Sequence, residues 1–306
     1  MTTRTIDEII AIDWGTSSLR ATLVSRGQLG PVVRSAAGVR GRDRRSLAQT
    51  LDDIVAQLPP TDGPIVLSGM IGSSAGLMVA PYVDAPAGIA DLATTIERVP
   101  PELLGKACAA REVVVVPGVR FATSTGMELM RGEETQVLGE NITEGVAIAP
   151  GSHSKWISVG AGRISAFATA MTGEVYNALG THTLLSESVS QGLAVALEER
   201  DAFLQGVEDA RHAGVLFTIF SVRARALAGA SPKASAARLS GLVIGAELQG
   251  GLAWSGQPGE VTIIAEESLA GLYRLALSHL GVASKTADDG SAARGAWRLA
   301  QEGWRR

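Results

Sequence analysis

Ile9 to Val24 runs as an apolar strand, a short polar turn and a second, partly alternating strand, which predicts a β-hairpin at the start of the chain. A third strand is expected near Val32 and Val33. Leu47, Leu51, Ile54, Val55 and Leu58 then recur at helical spacing, with Ser46 as the expected N-cap and Pro59-Pro60 as the stop. Ile65-Val66-Leu67 and Val113 to Val116 read as short buried strands, the first leading into the glycine-rich segment Gly69 to Gly76 and the second ending at Pro117-Gly118. From Ser190 the pattern turns helical, with Ala194, Leu197 and Leu204 in one expected helix and Leu239, Leu242, Val243, Ala246 and Leu252 in another. Val261 to Ala265 is expected to be the last strong strand, followed by helices over about 266–280 and 292–301. β-branched runs alternating with helices make this an α/β chain.

The chain also resembles itself. Shifted by 136 positions, Val146 to Val159 falls on Ile10 to Leu23, so that Gly15 meets Gly151, Thr16 meets Ser152 and Ser18 meets Ser154. The segment ending at Gly173 likewise parallels the one ending at Gly38. With 306 residues, more than one core usually holds, two lobes are expected, over 1–143 and 144–306, each opening on a strand, a glycine-hydroxyl turn and a strand.

Composition narrows the functions open to such a chain. It is 46% hydrophobic and 19% charged, with 36 glycines, as in a well-packed α/β protein rich in tight turns. Twenty-seven basic against 31 acidic residues leave a net charge of −4, and the one basic run, Arg40 to Arg45, has no aromatics within it. No field for holding nucleic acid or an anionic membrane is expected. The single cysteine, Cys108, rules out an intrachain disulfide and a CxxC site. The start does not read as a signal peptide, and the longest apolar candidate, Val215 to Val222, falls short of the roughly 18 residues of a membrane span. A cytoplasmic protein is expected.

Glycine-hydroxyl turns between strands bring backbone N–H groups and hydroxyls to a phosphate, although either turn alone could be a plain polar hairpin. Two of them could grip one polyphosphate. Asp13 closes an apolar strand beside the first turn, where a carboxylate is costly unless paired or near a cation; it reads either as a water-mediated Mg²⁺ ligand or as a local cap. Glu133 and Glu134 follow Gly132, and if a helix starts there they lie about 100° apart, so one can face a cleft as a general base. Helix-dipole stabilisation explains both equally well. Gly72-Ser73-Ser74-Ala75-Gly76 matches a hydrolase nucleophile elbow, but extended chain is expected after it instead of a helix. The four histidines lack metal-binding spacing, and no Walker-type glycine loop occurs.

Several segments together resemble the 2-dehydro-3-deoxygalactonokinases, in that family's order and over nearly the whole chain. They are Asp13 to Arg20, Gly69 to Ser73, Ala80 to Val83, Met130 to Gln136, Pro150 to Trp156, Met171 to Glu174 and Gly241 to Glu247. The resemblance implies a two-lobed actin/hexokinase-like (ribonuclease H-like) fold and ATP- and Mg²⁺-dependent phosphorylation of the terminal hydroxyl of a 2-keto-3-deoxy sugar acid. It assigns Asp13 to Gly15 as the first phosphate motif and Gly151 to Ser154 as the second. Together with the reading of the turns, this makes Asp13 the expected metal ligand, and Gly15, Thr16, Ser17 and Ser18 with Gly151, Ser152, His153, Ser154 and Lys155 the expected phosphate-binding residues. Glu133 is the first choice of base and Glu134 the second. Gly69, Met70, Gly72 and Ser73 would line the sugar site, with Arg20 and Arg131 as candidate partners for its carboxylate. The chain departs from the family pattern at Ser74, Ala75 and Leu77, where a larger basic and aromatic series is common. Ile263 to Glu267 also lacks the Gly-Gly pair that often opens the adenosine motif.

Overall fold

The computed structural model describes residues 6–190 and 195–304. In chain order its elements begin β1 (Glu8–Trp14), β2 (Leu19–Ser25), β3 (Gln28–Ser35), α1 (Arg44–Val55), β4 (Ile65–Gly69), β5 (Tyr82–Asp84), α2 (Ile89–Ala93), β6 (Glu97–Arg98), β7 (Val113–Val115), β8 (Gly118–Thr123), β9 (Gly126–Met130) and α3 (Glu133–Gly139). They continue β10 (Gly145–Ala149), β11 (Ser154–Gly160), β12 (Arg163–Ala170), α4 (Thr172–His182), α5 (Val195–Glu198), α6 (Arg200–Ala213), α7 (Val215–Thr218), α8 (Ser221–Leu227), α9 (Pro232–Trp254), β13 (Glu260–Ile263), α10 (Glu267–His279), β14 (Ala283–Thr286) and α11 (Ser291–Gly303).

The chain packs as two compact units, Met1–Glu144 with Val159–Ala166 and Asp288–Arg306, and Gly145–Ser158 with Phe167–Ala287. The C-terminal helix α11, expected in the second lobe, therefore packs with the first unit. A six-stranded sheet runs β3-β2-β1-β4-β7-β6 and a five-stranded sheet runs β12-β11-β10-β13-β14. Leaving out β6, the two orders are the same: a hairpin meander, then two further strands beyond its first. β1 pairs parallel with β4 and β4 with β7, as β10 does with β13 and β13 with β14. The repeat read from the turns thus extends through both sheets.

In the first unit, apolar residues of β1, β4 and β7 meet the inward face of α1, with Ile10, Ile12, Trp14, Leu47, Leu51, Ile65, Leu67 and Val115 forming one cluster. Helix α1 starts two residues before Ser46. Its cap is Asp43, whose carboxylate accepts the Ser46 N–H at 2.8 Å, so Ser46 is the donor to the cap. Cys108 is buried in this core beside Asp52, and burial pushes its thiol up to about 12.

Helix α3 is held from behind by α11. A Cβ on Gly295 would lie 1.9 Å from the Thr135 carbonyl oxygen, and one on Gly139 would lie 1.9 Å from that of Ser291. The helices cross in backbone contact, which only glycine permits. Beyond the crossing, Arg298 Nη1 donates to the Leu138 carbonyl, and Arg294 pairs with Glu140. Gly295→Ala would gain about 1 kcal/mol of helix propensity but must push α3 aside, which costs about 1–3 kcal/mol. The urea midpoint is expected to fall; a rise would mean that the crossing is looser than described.

In the second unit, α9 is buried along most of its length. A Cβ on Gly241 would lie 1.9 Å from the Phe203 carbonyl oxygen, so α6 and α9 also cross in backbone contact. Of the expected helix around Leu197, Ala194 lies outside the described residues, and the remainder is two pieces, α5 and α6, broken at Glu199. Val261 lies in β13, the last strongly apolar strand, and β14 follows it as an edge strand, Ala-Ser-Lys-Thr, with little apolar signal. Among the described residues no helix is long and apolar enough to cross a membrane.

Candidate active site

Asp13 lies near the C-terminal end of β1, in register with Arg20 on β2 and Ser68 on β4. Gln136 Nε2, from the first turn of α3, donates to Asp13 Oδ2 at 3.1 Å. Two glycines face the other carboxylate oxygen. A Cβ on Gly69 would lie 3.3 Å from Asp13 Oδ1, one on Gly132 would lie 3.8 Å from it, and the Gly132 Cβ would be 3.0 Å from Gly69 Cα. Both have positive φ, +89° and +115°, so side chains are excluded by backbone conformation as well as by space. Burial raises the Asp13 carboxyl above its ordinary range; the Gln136 hydrogen bond and the Arg20 charge only partly oppose this.

That environment fits a hydrated cation. The carboxylate is undercharged by its surroundings, a bare oxygen faces unobstructed Cα atoms, and its protein partner is a side-chain amide, unlike the backbone of a local cap. No group of three or more His, Cys, Asp or Glu residues is placed to hold a metal among the described residues. Mg²⁺ commonly uses one or two carboxylates with phosphate and water.

The turn beyond Asp13 is closed by Gly15 N–H donating to the Ser18 carbonyl at 2.9 Å, and Ser17 and Ser18 are exposed at its tip. Gly38 packs beneath it: a Cβ there would lie 2.3 Å from the Thr16 carbonyl oxygen. The next two N–H groups, Val39 and Arg40, donate to Gly15 O and Thr16 O at 3.1 and 3.0 Å. The second turn repeats this arrangement inside its own unit. A Cβ on Gly173 would lie 2.6 Å from Gly151 O, and the N–H groups of Gly173 and Glu174 donate to Gly151 O and Ser152 O at 3.2 and 3.1 Å.

The candidate phosphate residues of the second turn differ in exposure. Ser152 and His153 are exposed, His153 Nε2 meeting the Glu174 carboxylate, but Ser154 and Lys155 are buried. Ser154 Oγ accepts the Gly151 N–H at 3.4 Å and lies 3.3 Å from the Tyr273 hydroxyl, while Lys155 Nζ donates to Thr169 Oγ1 at 2.9 Å. Both belong to the start of β11 and make these hydrogen bonds within the protein.

At the α3 N-terminus the two glutamates separate as helical geometry requires. Glu134 is wholly buried; its Oε2 accepts the Gly132 N–H at 2.7 Å and its Oε1 the Thr135 hydroxyl at 2.9 Å. Burial, reinforced by the neighbouring Glu133 charge, pushes its carboxyl up to about 7. Glu133 is only half-buried, with Oε2 accepting the Arg131 N–H at 3.1 Å. Of the two carboxylates, Glu133 is thus the more accessible.

Arg131 is buried, its guanidinium 4.3 Å from the Tyr82 ring centroid, with Nη2 donating to Ala80 O at 2.7 Å. Its Nε and Nη1 have no hydrogen-bond partner, and a Cβ on Gly72 would lie 3.1 Å from Nη1. Met70–Gly72 forms a single 3₁₀ turn, and the Ser73 hydroxyl closes the chain onto Met70 O at 2.7 Å. Ser74 is exposed in a turn that leads to β5 with no helix after it, so the elbow motif has no elbow. Arg20 Nη1 donates to the Asp289 carbonyl at 2.8 Å, and Arg34 pairs with the Asp289 carboxylate at 2.7 Å.

Gln136 was legible within a recognised segment but had no assigned role; its place three residues after Glu133 puts it on the same side of α3. Asp289 gave no sequence signal, because it reaches the site only through the return of α11 to the first unit.

Similarity to known proteins covers this whole arrangement. Residues 13–299 match the family model described as 2-keto-3-deoxy-galactonokinase. A protein of Rhizobium meliloti (strain 1021) named for 2-dehydro-3-deoxygalactonokinase is 34% identical over 295 residues, 93% of each chain. The 2-dehydro-3-deoxygalactonokinase of Escherichia coli (strain K12) is 31% identical, over 89% of this chain and 90% of its own. A crystal structure named for such a protein from Sinorhizobium meliloti superposes with a TM-score of 0.81 at 32% identity, over 95% of this chain and 98% of its own. The xylulose kinase of Lactobacillus acidophilus, 11% identical with a TM-score of 0.50, shares the fold alone, that of the actin/hexokinase-like sugar kinases. With a model match over most of its length and relatives above 30% identity, this chain belongs to the 2-keto-3-deoxy-galactonokinase family.

Proposed function

We propose that this chain is an ATP-dependent kinase that phosphorylates the terminal (6-) hydroxyl of 2-dehydro-3-deoxy-D-galactonate, in galactonate catabolism. Family membership supplies the reaction class, and one observation supports its location: Asp13, Gly69, Gly132 and Gln136 lie together at the start of α3, whose first residue is the accessible Glu133. Such a kinase works where ATP is available, and we assign it to the cytoplasm.

Each residue has a chemical task in this reading. Asp13 would hold Mg²⁺ through water, which when bound supplies positive charge to the phosphates. Gln136 fixes the Asp13 carboxylate, and Gly69 and Gly132 keep side chains out of its way. Backbone and hydroxyl donors of Gly15 to Ser18 in the first unit, and of Gly151 to His153 in the second, are each suited to bind phosphate oxygens, each turn braced by its partner segment. Glu133 accepts the proton of the attacking hydroxyl, and Glu134 orders the helix start beneath it. The unpaired Nε and Nη1 of Arg131 place positive potential under the Gly69 to Ser73 segment, where an anionic substrate would be favoured over a neutral sugar.

The test is ATP consumption across a panel of sugar acids and neutral sugars. Turnover that depends on 2-dehydro-3-deoxygalactonate and falls at least about tenfold for neutral sugars is the expected result. Turnover with another sugar acid would move the substrate while keeping the chemistry, and slow acceptor-independent hydrolysis would mark a nucleotide switch.

A further inference from the structure

Beneath the second turn, α9 presents a carboxylate that the proposed chemistry does not use. Glu247 is 7% exposed. Trp156 Nε1 donates to its Oε1 at 3.0 Å, and the hydroxyls of Tyr273, at 2.5 Å, and Thr172 donate to its Oε2. The Ser154 hydroxyl also acts on it. No lysine or arginine pairs with this carboxylate among the described residues; these donors oppose the cost of burying it, though burial still raises the carboxyl. An apolar side chain would fill the same space without that cost.

The origin of the donors distinguishes this group from ordinary core polarity. Ser154 closes the second turn and accepts its Gly151 N–H. Thr172 opens α4, and the next two N–H groups, of Gly173 and Glu174, bind the carbonyls of Gly151 and Ser152. One carboxylate thus ties together both segments that shape the turn. The corresponding tie in the first unit is different, since there Trp14 Nε1 donates to Ala37 O at 2.9 Å just before Gly38.

We propose that Glu247 is a positioning residue for the nucleotide, fixing the Gly151 to His153 turn against the start of α4 without touching the phosphates. This rests on the reading of that turn as a phosphate site. An amide in its place offers one acceptor oxygen; it can serve Trp156, while the hydroxyls of Thr172 and Tyr273 turn to accept from the new NH₂. Glu247→Gln should therefore fold but hold the turn less firmly.

The experiment measures the KM values for ATP and sugar acid, calorimetric Kd for a non-hydrolysable ATP analogue, and the thermal midpoint, in Glu247→Gln, Thr172→Val and Gly151→Ala. A Cβ on Gly151 meets nothing within 4 Å, so Gly151→Ala perturbs only what approaches from outside and tests the phosphate reading itself. Glu247→Gln is expected to raise the ATP KM and analogue Kd about tenfold, as loss of an outer-shell partner commonly does, with the sugar-acid KM within about twofold. Thr172→Val should show the same split more weakly, and it carries the test if Glu247→Gln fails to fold. If Gly151→Ala weakens the analogue but the other two variants do not, or shift both KM values alike, the positioning role falls and the phosphate reading stands. If Gly151→Ala leaves the analogue Kd unchanged, the turn is not a phosphate site and both fall.

Discussion

Asp13→Asn is expected to lower kcat by about 10²–10³ while leaving the protein as stable as before, or more so. Asparagine keeps an oxygen for Gln136 Nε2 and removes only the charge. In the folded chain that charge is opposed by burial and incompletely offset by Arg20, so its removal relieves a cost in the absence of metal. Activity and stability should therefore move in opposite directions. Thermal melting without metal reads the second effect independently of turnover. Unchanged kcat at saturating ATP and Mg²⁺ would remove Asp13 from the site, and a lower melting temperature would make it a structural cap.

Glu133→Gln is expected to lower kcat by about 10²–10⁴ with little change in nucleotide binding, the usual worth of a general base. Glu134→Gln should slow transfer only several-fold but alter how stability depends on pH. The Glu134 carboxyl rises from an ordinary 4.5 to about 7 in the folded state, so between these values the native chain binds the extra proton. Its stabilising contribution is full below about 4.5 and is lost as pH rises through about 7, a difference of about 3 kcal/mol. Urea unfolding at pH 5 and pH 8 should show this slope in the parent and a flatter one in Glu134→Gln. Reversed kinetic effects would make Glu134 the base; if neither variant slows transfer by more than a few-fold, the motif is not catalytic.

Local pattern carried the parts of this molecule that local pattern determines. The hairpin of β1 and β2, the repeated turn and the helix start at Gly132 were all legible because each is fixed by residues adjacent in sequence. The repeat gave the opening hairpin of each half; that the two sheets share a strand order is visible only in the fold. The hairpin of β8 and β9 was not read from the sequence: its strands are short and only Gly118, Val119 and Met130 in them are buried.

Long-range packing accounts for the other misses. That α11 belongs with the first unit depends on Gly139 meeting Ser291 and Gly295 meeting Thr135, and neither glycine announces a crossing by itself. Ser154 and Lys155 continue a glycine-hydroxyl motif, and the motif gives no sign of their burial. The strand has already begun there, and both side chains are drawn into the protein. Glu247 lay in a recognised segment, yet only the fold brings Trp156, Thr172 and Tyr273 to it. Sequence located the turns, whereas their supports became visible only in three dimensions.

Identification of the product tests the central claim most directly. The chain would be incubated with ATP, Mg²⁺ and 2-dehydro-3-deoxygalactonate, and the phosphorus followed by ³¹P NMR. The expected result is one new phosphate monoester on the terminal carbon of the sugar acid, formed in equal amount with ADP and lost in Asp13→Asn and Glu133→Gln. ADP accompanied only by inorganic phosphate, or an ester formed equally well by both variants, would contradict the account.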